Sequence, residues 1–261
     1  PFMGPALGTI LRLVMKNKHT RIIGLADNII PHEKRPGDKP FTKYFLGSCD
    51  AFITMSEKVM SDLRSIEKSK PAQLVAHPLY DNFGAAIAKD VAREKLGIDK
   101  KDKVILFFGF IRKYKGLDIL LEAMADARIK EAGIKLLVAG EFYEDEKVYQ
   151  EQIDRLGIRS QLIMRTQFIP DSEVVLYFCA ADVVIQPYRN ATQSGVTPLA
   201  YHYEKPMIVT NVGGLPAMVP DRKSGLVAAV QPMAIASAIL EFYELGEEFF
   251  IPHLRSEKQK L

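Results

Sequence analysis

Residues 183–210 read VVIQPYRNATQSGVTPLAYHYEKPMIVT. An apolar run, Val183-Val184-Ile185, enters this stretch and another, Met207-Ile208-Val209, leaves it. Between them lies a small polar turn, Asn190-Ala191-Thr192-Gln193-Ser194-Gly195, that runs into a helix-like segment. Pro198 suits a helix's first turn, where its missing N–H costs nothing. Strand, turn, helix, strand is the crossover unit of a parallel sheet. The turn holds nothing bulky to pack. Ordinary capping accounts for Ser194 or Thr192 alone, but not for Thr, Gln, Ser and Gly together. Free backbone N–H groups at Ser194, Gly195, Val196 and Thr197 would form a seat for phosphate.

The same alternation extends in both directions. Candidate strands are 21–26, 51–54, 73–76, 103–108, 135–139, 161–164, 182–186, 207–210 and 225–228, with helical patterns at 56–65, 116–127, 145–156, 171–180 and 232–245. KVILFFGF, from Lys103, is apolar without alternation, as strands covered on both faces are. The fold class is therefore α/β with parallel sheets. AHPLYDNFG, residues 76–84, carries Pro, Asn and Gly after a strand and precedes a charged helix at 85–96. It reads as a linker. Residues 1–83 form a partial first domain of about three strands, and 84–261 a complete second domain.

The 261 residues are 48% hydrophobic, with 35 Lys plus Arg against 32 Asp plus Glu, a net charge of +3. That charge is too mild to point to nucleic acid. Cys49 and Cys179 lie far apart and in no metal-binding pattern, which fits reduced thiols, a cytoplasmic location and no metal. No apolar run is long enough to span a membrane. The apolar-then-basic segment 3–18 fits either packing on its own sheet or peripheral contact with the inner face of a membrane. A start at Pro1 and an uncapped, charged end are expected of a cut through a longer protein.

In open parallel sheets, ligands sit beyond the carboxyl ends of the strands, which singles out further loops. FFGFIRKYKGLDILL, residues 107–121, ends a strand at Gly109 and then presents Arg112, Lys113 and Lys115. Arginine suits bidentate phosphate contacts and lysine adds a mobile point charge. In LLVAGEFYED, residues 136–145, Gly140 would allow close approach of a ligand, and Glu141 would accept from a sugar or base. Gly213-Gly214 follows another strand end.

Taken in order, FGFIRKYKGLD, LLVAGEF, FIPDSEVVLYFCAADVVIQPY, SGVTPLAYHYEKPMIVT, VGGLPAMV and SGLVA resemble the donor-binding half of family 4 glycosyltransferases of the GT-B type, from about residue 73 to the end. DNIIPHEKRPGDKPFTKYFLGSCDAFITMSEKV is similar to the latter half of that family's acceptor domain. The resemblance implies two Rossmann-like domains, the first incomplete. It implies transfer of a sugar from a nucleotide-diphosphate donor to a saccharide or lipid-linked acceptor, with retention of configuration, no metal and no cofactor. Cell-surface polysaccharide or glycolipid synthesis would be its setting. Arg112 and Lys115 match the basic pair that holds the pyrophosphate and steadies the leaving group, an electrostatic role. Residues Gln193 to Thr197 would touch the donor sugar and distal phosphate, and Phe168 and Ile169 would border the base. His32 and Glu33, in a proline-rich loop, would face the acceptor or the donor's phosphates.

Two features depart from the family pattern. Its paired glutamates would fall at Ala191 and Leu199, or at Thr192 and Ala200, and neither register holds a carboxylate; Ala217 also stands where a glutamate is frequent. Gln193 would be a neutral substitute. The early half of the acceptor domain is absent as well. Two alternatives therefore stand beside the transferase: a catalytically silent sugar-nucleotide-binding or assembly partner, and a sugar-nucleotide epimerase.

Overall fold

The computed structural model describes residues 4–15, 19–30, 36–75, 78–192 and 194–259. The chain forms two compact units, Pro1–His77 and Pro78–Leu261.

The first unit runs α1 (Gly4–Met15), β1 (Ile23–Ala26), α2 (Asp38–Leu46), β2 (Ala51–Thr54), α3 (Glu57–Ile66) and β3 (Ala72–Leu74). Its strands pair in parallel in the order β1-β2-β3, with Ile23 opposite Ala51 and Phe52 opposite Ala72. The Ser56 hydroxyl accepts from the Val59 N–H at 3.2 Å and so starts α3, whose Val59 and Leu63 pack with Phe52 and Leu46 as a small core. Helix α1 lies on α2, with the Arg12 guanidinium 3.7 Å from the centre of the Tyr44 ring. Leu7, Ile10 and Leu13 on α1 and Ile23 and Leu25 on β1 are exposed. Among the described residues no helix is long and apolar enough to cross a membrane.

The second unit opens with α4 (Lys89–Leu96) and β4 (Lys103–Phe108), followed by α5 (Leu117–Met124), α6 (Ala127–Glu131), β5 (Ile134–Ala139), α7 (Glu146–Leu156), β6 (Leu162–Arg165) and α8 (Asp171–Ala180). It continues with β7 (Val183–Gln186), α9 (Val196–His202), β8 (Met207–Thr210), α10 (Leu215–Met218), β9 (Gly225–Ala228), α11 (Pro232–Leu245) and α12 (Glu247–Lys258). Its six strands are all parallel, in the order β6-β5-β4-β7-β8-β9. Val104 to Phe107 and Leu136 to Ala139 are fully buried, because helices cover both faces of the sheet. Chain order reverses between the neighbouring strands β4 and β7. Their exit loops therefore diverge, and a crevice opens at the carboxyl edge.

Several boundaries differ from the sequence expectation. The compact units divide after residue 77, not 83, because Leu79, Tyr80 and Phe83 pack against the second unit's core. The Tyr203 hydroxyl donates to the Phe83 carbonyl at 2.8 Å, which fixes that segment. The helix expected at 85–96 begins only at Lys89. The helix expected at 116–127 breaks in two, because the Asp126 side chain accepts from the Arg128 N–H and caps a new helix. Helix α2 was not anticipated.

Candidate functional site

The crevice between the β4 and β7 exits is a cleft of about 380 Å³. Three glycines shape it. Gly109, at the end of β4, has φ +94°, and a Cβ there would stand 3.0 Å from the Lys115 Nζ. Gly140, at the end of β5, has φ +135°, and its Cβ would meet the Gly109 carbonyl oxygen at 2.4 Å. Gly140 thus serves first to let two strand ends close on each other. Gly116 has φ +71°, and its Cβ would lie 2.0 Å from the Pro187 carbonyl oxygen. Absence of a side chain at Gly116 presses the turn Lys113–Lys115 against the exit of β7. The Arg189 N–H donates to the Tyr114 carbonyl at 2.7 Å and stitches the two loops together.

This packing sends Lys115 into the cleft. Its ammonium lies 5.8 Å from the centre of the Tyr188 ring and has no carboxylate partner among the described residues. Burial, and secondarily the charge of Arg112, lower its pKa from 10.5 to about 8. Arg112 does not line the cleft. Its guanidinium lies 4.6 Å from the centre of the Tyr143 ring, which in turn lies 4.5 Å from the Phe110 ring.

Glu141, Phe168 and Ile169 line the cleft from the β5 and β6 sides, and Asp171 joins them from the start of α8. From the β7 side come Ser194, Gly195 and Val196. The Ser194 Oγ accepts from the Val196 N–H at 3.2 Å, and the Thr197 N–H donates to the Ser194 carbonyl at 3.2 Å. Two of the four amides singled out in the sequence are therefore already engaged. Those of Ser194 and Gly195 have no acceptor among the described residues. Thr197 itself is fully buried outside the cleft lining, with its hydroxyl bonded to the Gln186 side-chain amide at 3.1–3.2 Å. Burial on the inner side of α9 makes that hydroxyl part of the scaffold.

Gln193, His32 and Glu33 lie outside the described residues. Of the positions where the family pattern has glutamates, Leu199 lines the cleft with an apolar side chain. Ala191, Thr192 and Ala200 are buried, and Ala217 is exposed. Gly213 supports the β7 loop from beneath: at φ +52°, its Cβ would collide with the Ala191 carbonyl oxygen.

Several lining residues were missed in the sequence, Tyr80, Phe83 and Tyr188 among them. Tyr80 and Phe83 come from the segment read as a linker, and the Tyr80 ring passes 3.5 Å from where a Gly195 Cβ would stand. Two aromatics within a Pro- and Gly-containing stretch were the available signal. Tyr188 is buried, with its hydroxyl 3.1 Å from the Ser194 Oγ. Among the described residues no three His, Cys, Asp or Glu side chains gather in a way that could hold a metal ion.

Residues 88–249 match the family model described as glycosyl transferases group 1. A D-inositol 3-phosphate glycosyltransferase of Corynebacterium urealyticum is 35% identical over 204 residues, covering 74% of this chain and 48% of that protein. Its counterpart from Segniliparus rotundus is 34% identical over 143 residues, covering 53% of this chain and 31% of that protein. The chain thus spans less than half the length of either relative. Among solved structures, sucrose-phosphate synthase from Thermosynechococcus elongatus superposes with a TM-score of 0.81 at 17% identity, covering 97% of this chain and 66% of that one. Anabaena Alr3699/HepE, in complex with UDP-glucose, gives 0.82 at 15% identity, covering 97% and 72%. These likenesses show the fold, that of the GT-B glycosyltransferases.

Proposed function

The chain belongs to the glycosyl transferases group 1 family, and on that premise we propose that the cleft of its second unit holds the diphosphate of a nucleotide-sugar donor. The observation that carries this reading is Lys115: a part-buried ammonium with no carboxylate partner among the described residues, at the crevice where the sheet's chain order reverses. A desolvated cation without a counter-charge is a site prepared for an anion. The Ser194 and Gly195 amides border the same space and would add hydrogen bonds to phosphate oxygens. Arg112, from the same loop, would swing from Tyr143 toward the outer phosphate. Phe168 and Ile169 would border the base, with Glu141 and Gly140 beside it. The Anabaena protein's complex with UDP-glucose supports a nucleotide sugar as the ligand.

The protein is then a glycosyltransferase that moves a sugar to a saccharide or lipid-linked acceptor with retention of configuration. Negative charge grows on the departing diphosphate, and Lys115 with Arg112 stabilises it without a metal or cofactor. A cytoplasmic site, with α1 touching the inner face of a membrane, would suit synthesis of a cell-surface polysaccharide or glycolipid. Leu199 favours one second reading. An apolar side chain in a family carboxylate position suits a protein that binds the nucleotide sugar without turning it over. Calorimetric titration with UDP, GDP and ADP, followed by turnover of the matching nucleotide sugars by the full-length protein, separates the two. Binding with turnover supports the transferase, binding without turnover the silent partner, and no binding removes both.

The lowered pKa of Lys115 sets a pH dependence. The ammonium is charged below about 8 and neutral above it. A bound diphosphate favours the charged form, so diphosphate affinity should hold on the acid side and fall as pH rises through about 8. The decline should approach about tenfold per pH unit, the slope for one linked proton. Titrations across that range read it directly, and a flat profile would place Lys115 away from the diphosphate.

A further inference from the structure

Tyr188 touches both halves of the proposed diphosphate site. Its ring lies 5.8 Å from the Lys115 ammonium. Its hydroxyl is 3.1 Å from the Ser194 Oγ, which in turn accepts the Val196 N–H. The side chain is buried, and its backbone is anchored from the next strand, where the Thr210 hydroxyl donates to the Tyr188 carbonyl at 2.6 Å. Tyr114 packs edge-on against the ring at 6.1 Å. Burial pushes the Tyr188 phenol well above its usual range, so it stays protonated and able to bond a hydroxyl at any working pH.

A core residue would need neither contact. A phenylalanine would fill the same volume, and a buried hydroxyl is tolerated only when paired. Here the pairing partner is a residue of the cleft wall. We infer that Tyr188 is the positioning residue of the diphosphate site. Its hydroxyl holds the Ser194 side chain on the Val196 N–H, which turns the Ser194 and Gly195 amides outward. Its ring face keeps the Lys115 ammonium over the same spot by a cation–π contact. The inference rests on the diphosphate reading of the cleft and adds to it the device that sets the spacing between cation and amides.

Tyr188→Phe keeps the ring and removes the bond to Ser194. UDP affinity measured by calorimetry near neutral pH should fall about fivefold, the loss of one net hydrogen bond. The alkaline midpoint of that affinity should stay at the wild-type position, because the ring still faces Lys115. A general loosening of the site would move both. Ser194→Ala breaks the same link from the cleft side and serves if the first variant folds poorly. In the double variant the loss should match that of one single variant, not their product. Wild-type affinity in Tyr188→Phe, or multiplicative losses in the double variant, would overturn the inference while leaving the diphosphate reading intact. Failure of the wild-type protein to bind UDP, GDP or ADP would remove both.

Discussion

Asp182→Ala is expected to destabilise the second unit by about 3–5 kcal/mol, the range for breaking a buried ion pair from one side. Asp182 precedes β7 and is the hub of a network at the end of the sheet opposite the cleft. Its Oδ1 accepts from the Lys89 Nζ at 2.8 Å and the Arg93 Nη2 at 3.0 Å. Its Oδ2 accepts from the Val104 N–H at 2.8 Å and the Tyr243 hydroxyl at 3.1 Å. The Arg93 side chain is only 4% exposed and has no other carboxylate among the described residues, although it also donates to the carbonyls of Ala180 and Lys100. Lys89 keeps Glu247, which also takes Lys205 at 3.1 Å. Removing Asp182 therefore strands Arg93 more than Lys89. Urea unfolding of the purified variant measures the effect. A loss below about 1 kcal/mol, the level of an exposed pair, would show that the network is screened by solvent. UDP affinity under native conditions should not change, since the cleft lies at the other edge.

Lys115→Ala is expected to lower turnover by about 10²–10³-fold, the range seen when a preorganised group facing developing charge is removed. Diphosphate affinity should fall less, by about 1.5–3 kcal/mol, as for a charged hydrogen bond. The difference arises because charge on the leaving diphosphate is larger in the transition state than in the bound donor. The decline in affinity above a pH of about 8 should vanish with the lysine. Arg112→Ala should instead move that decline upward in pH, because the Arg112 charge is one of the two causes of the lowered Lys115 pKa. Steady-state rates and diphosphate titrations on the same variants decide the point. Equal losses in turnover and binding would reduce Lys115 to a ground-state contact.

The periodic elements were legible from the chain alone. Strands 51–54, 103–108, 207–210 and 225–228 occur at the residues expected from the pattern. Each is a compact apolar run bounded by polar or turn-forming residues, and local composition and burial agree there. Several loops that line the cleft were legible for a similar reason. Chemistry-bearing residues stand at strand ends, and a parallel sheet places such ends on one edge. Elements that depend on partners were not legible. Helix α2, DKPFTKYFL, mixes polar and aromatic residues, and its packing on α1 is visible only once both are folded. The linker reading of 76–84 failed for the aromatics Tyr80 and Phe83, whose place is set by the core they meet, not by their neighbours in sequence.

What the sequence determined by itself was the α/β parallel class, the alternation of strands and helices, and a cationic loop after β4. Tertiary structure alone decided that β4 and β7 are neighbours, which sets Lys115 and Ser194 on the wall of one cleft. It also assigned the glycines: Gly140 meets the Gly109 carbonyl and Gly116 the Pro187 carbonyl, contacts between segments that local sequence does not relate. Tertiary packing likewise took the Thr197 hydroxyl out of the site and brought the Tyr188 hydroxyl to its wall. The physical reason is common to all of these. Periodicity records which face of an element is buried, because that depends on the chain's own geometry. Strand order and close backbone approach depend on which distant surfaces fit, and no local period encodes them.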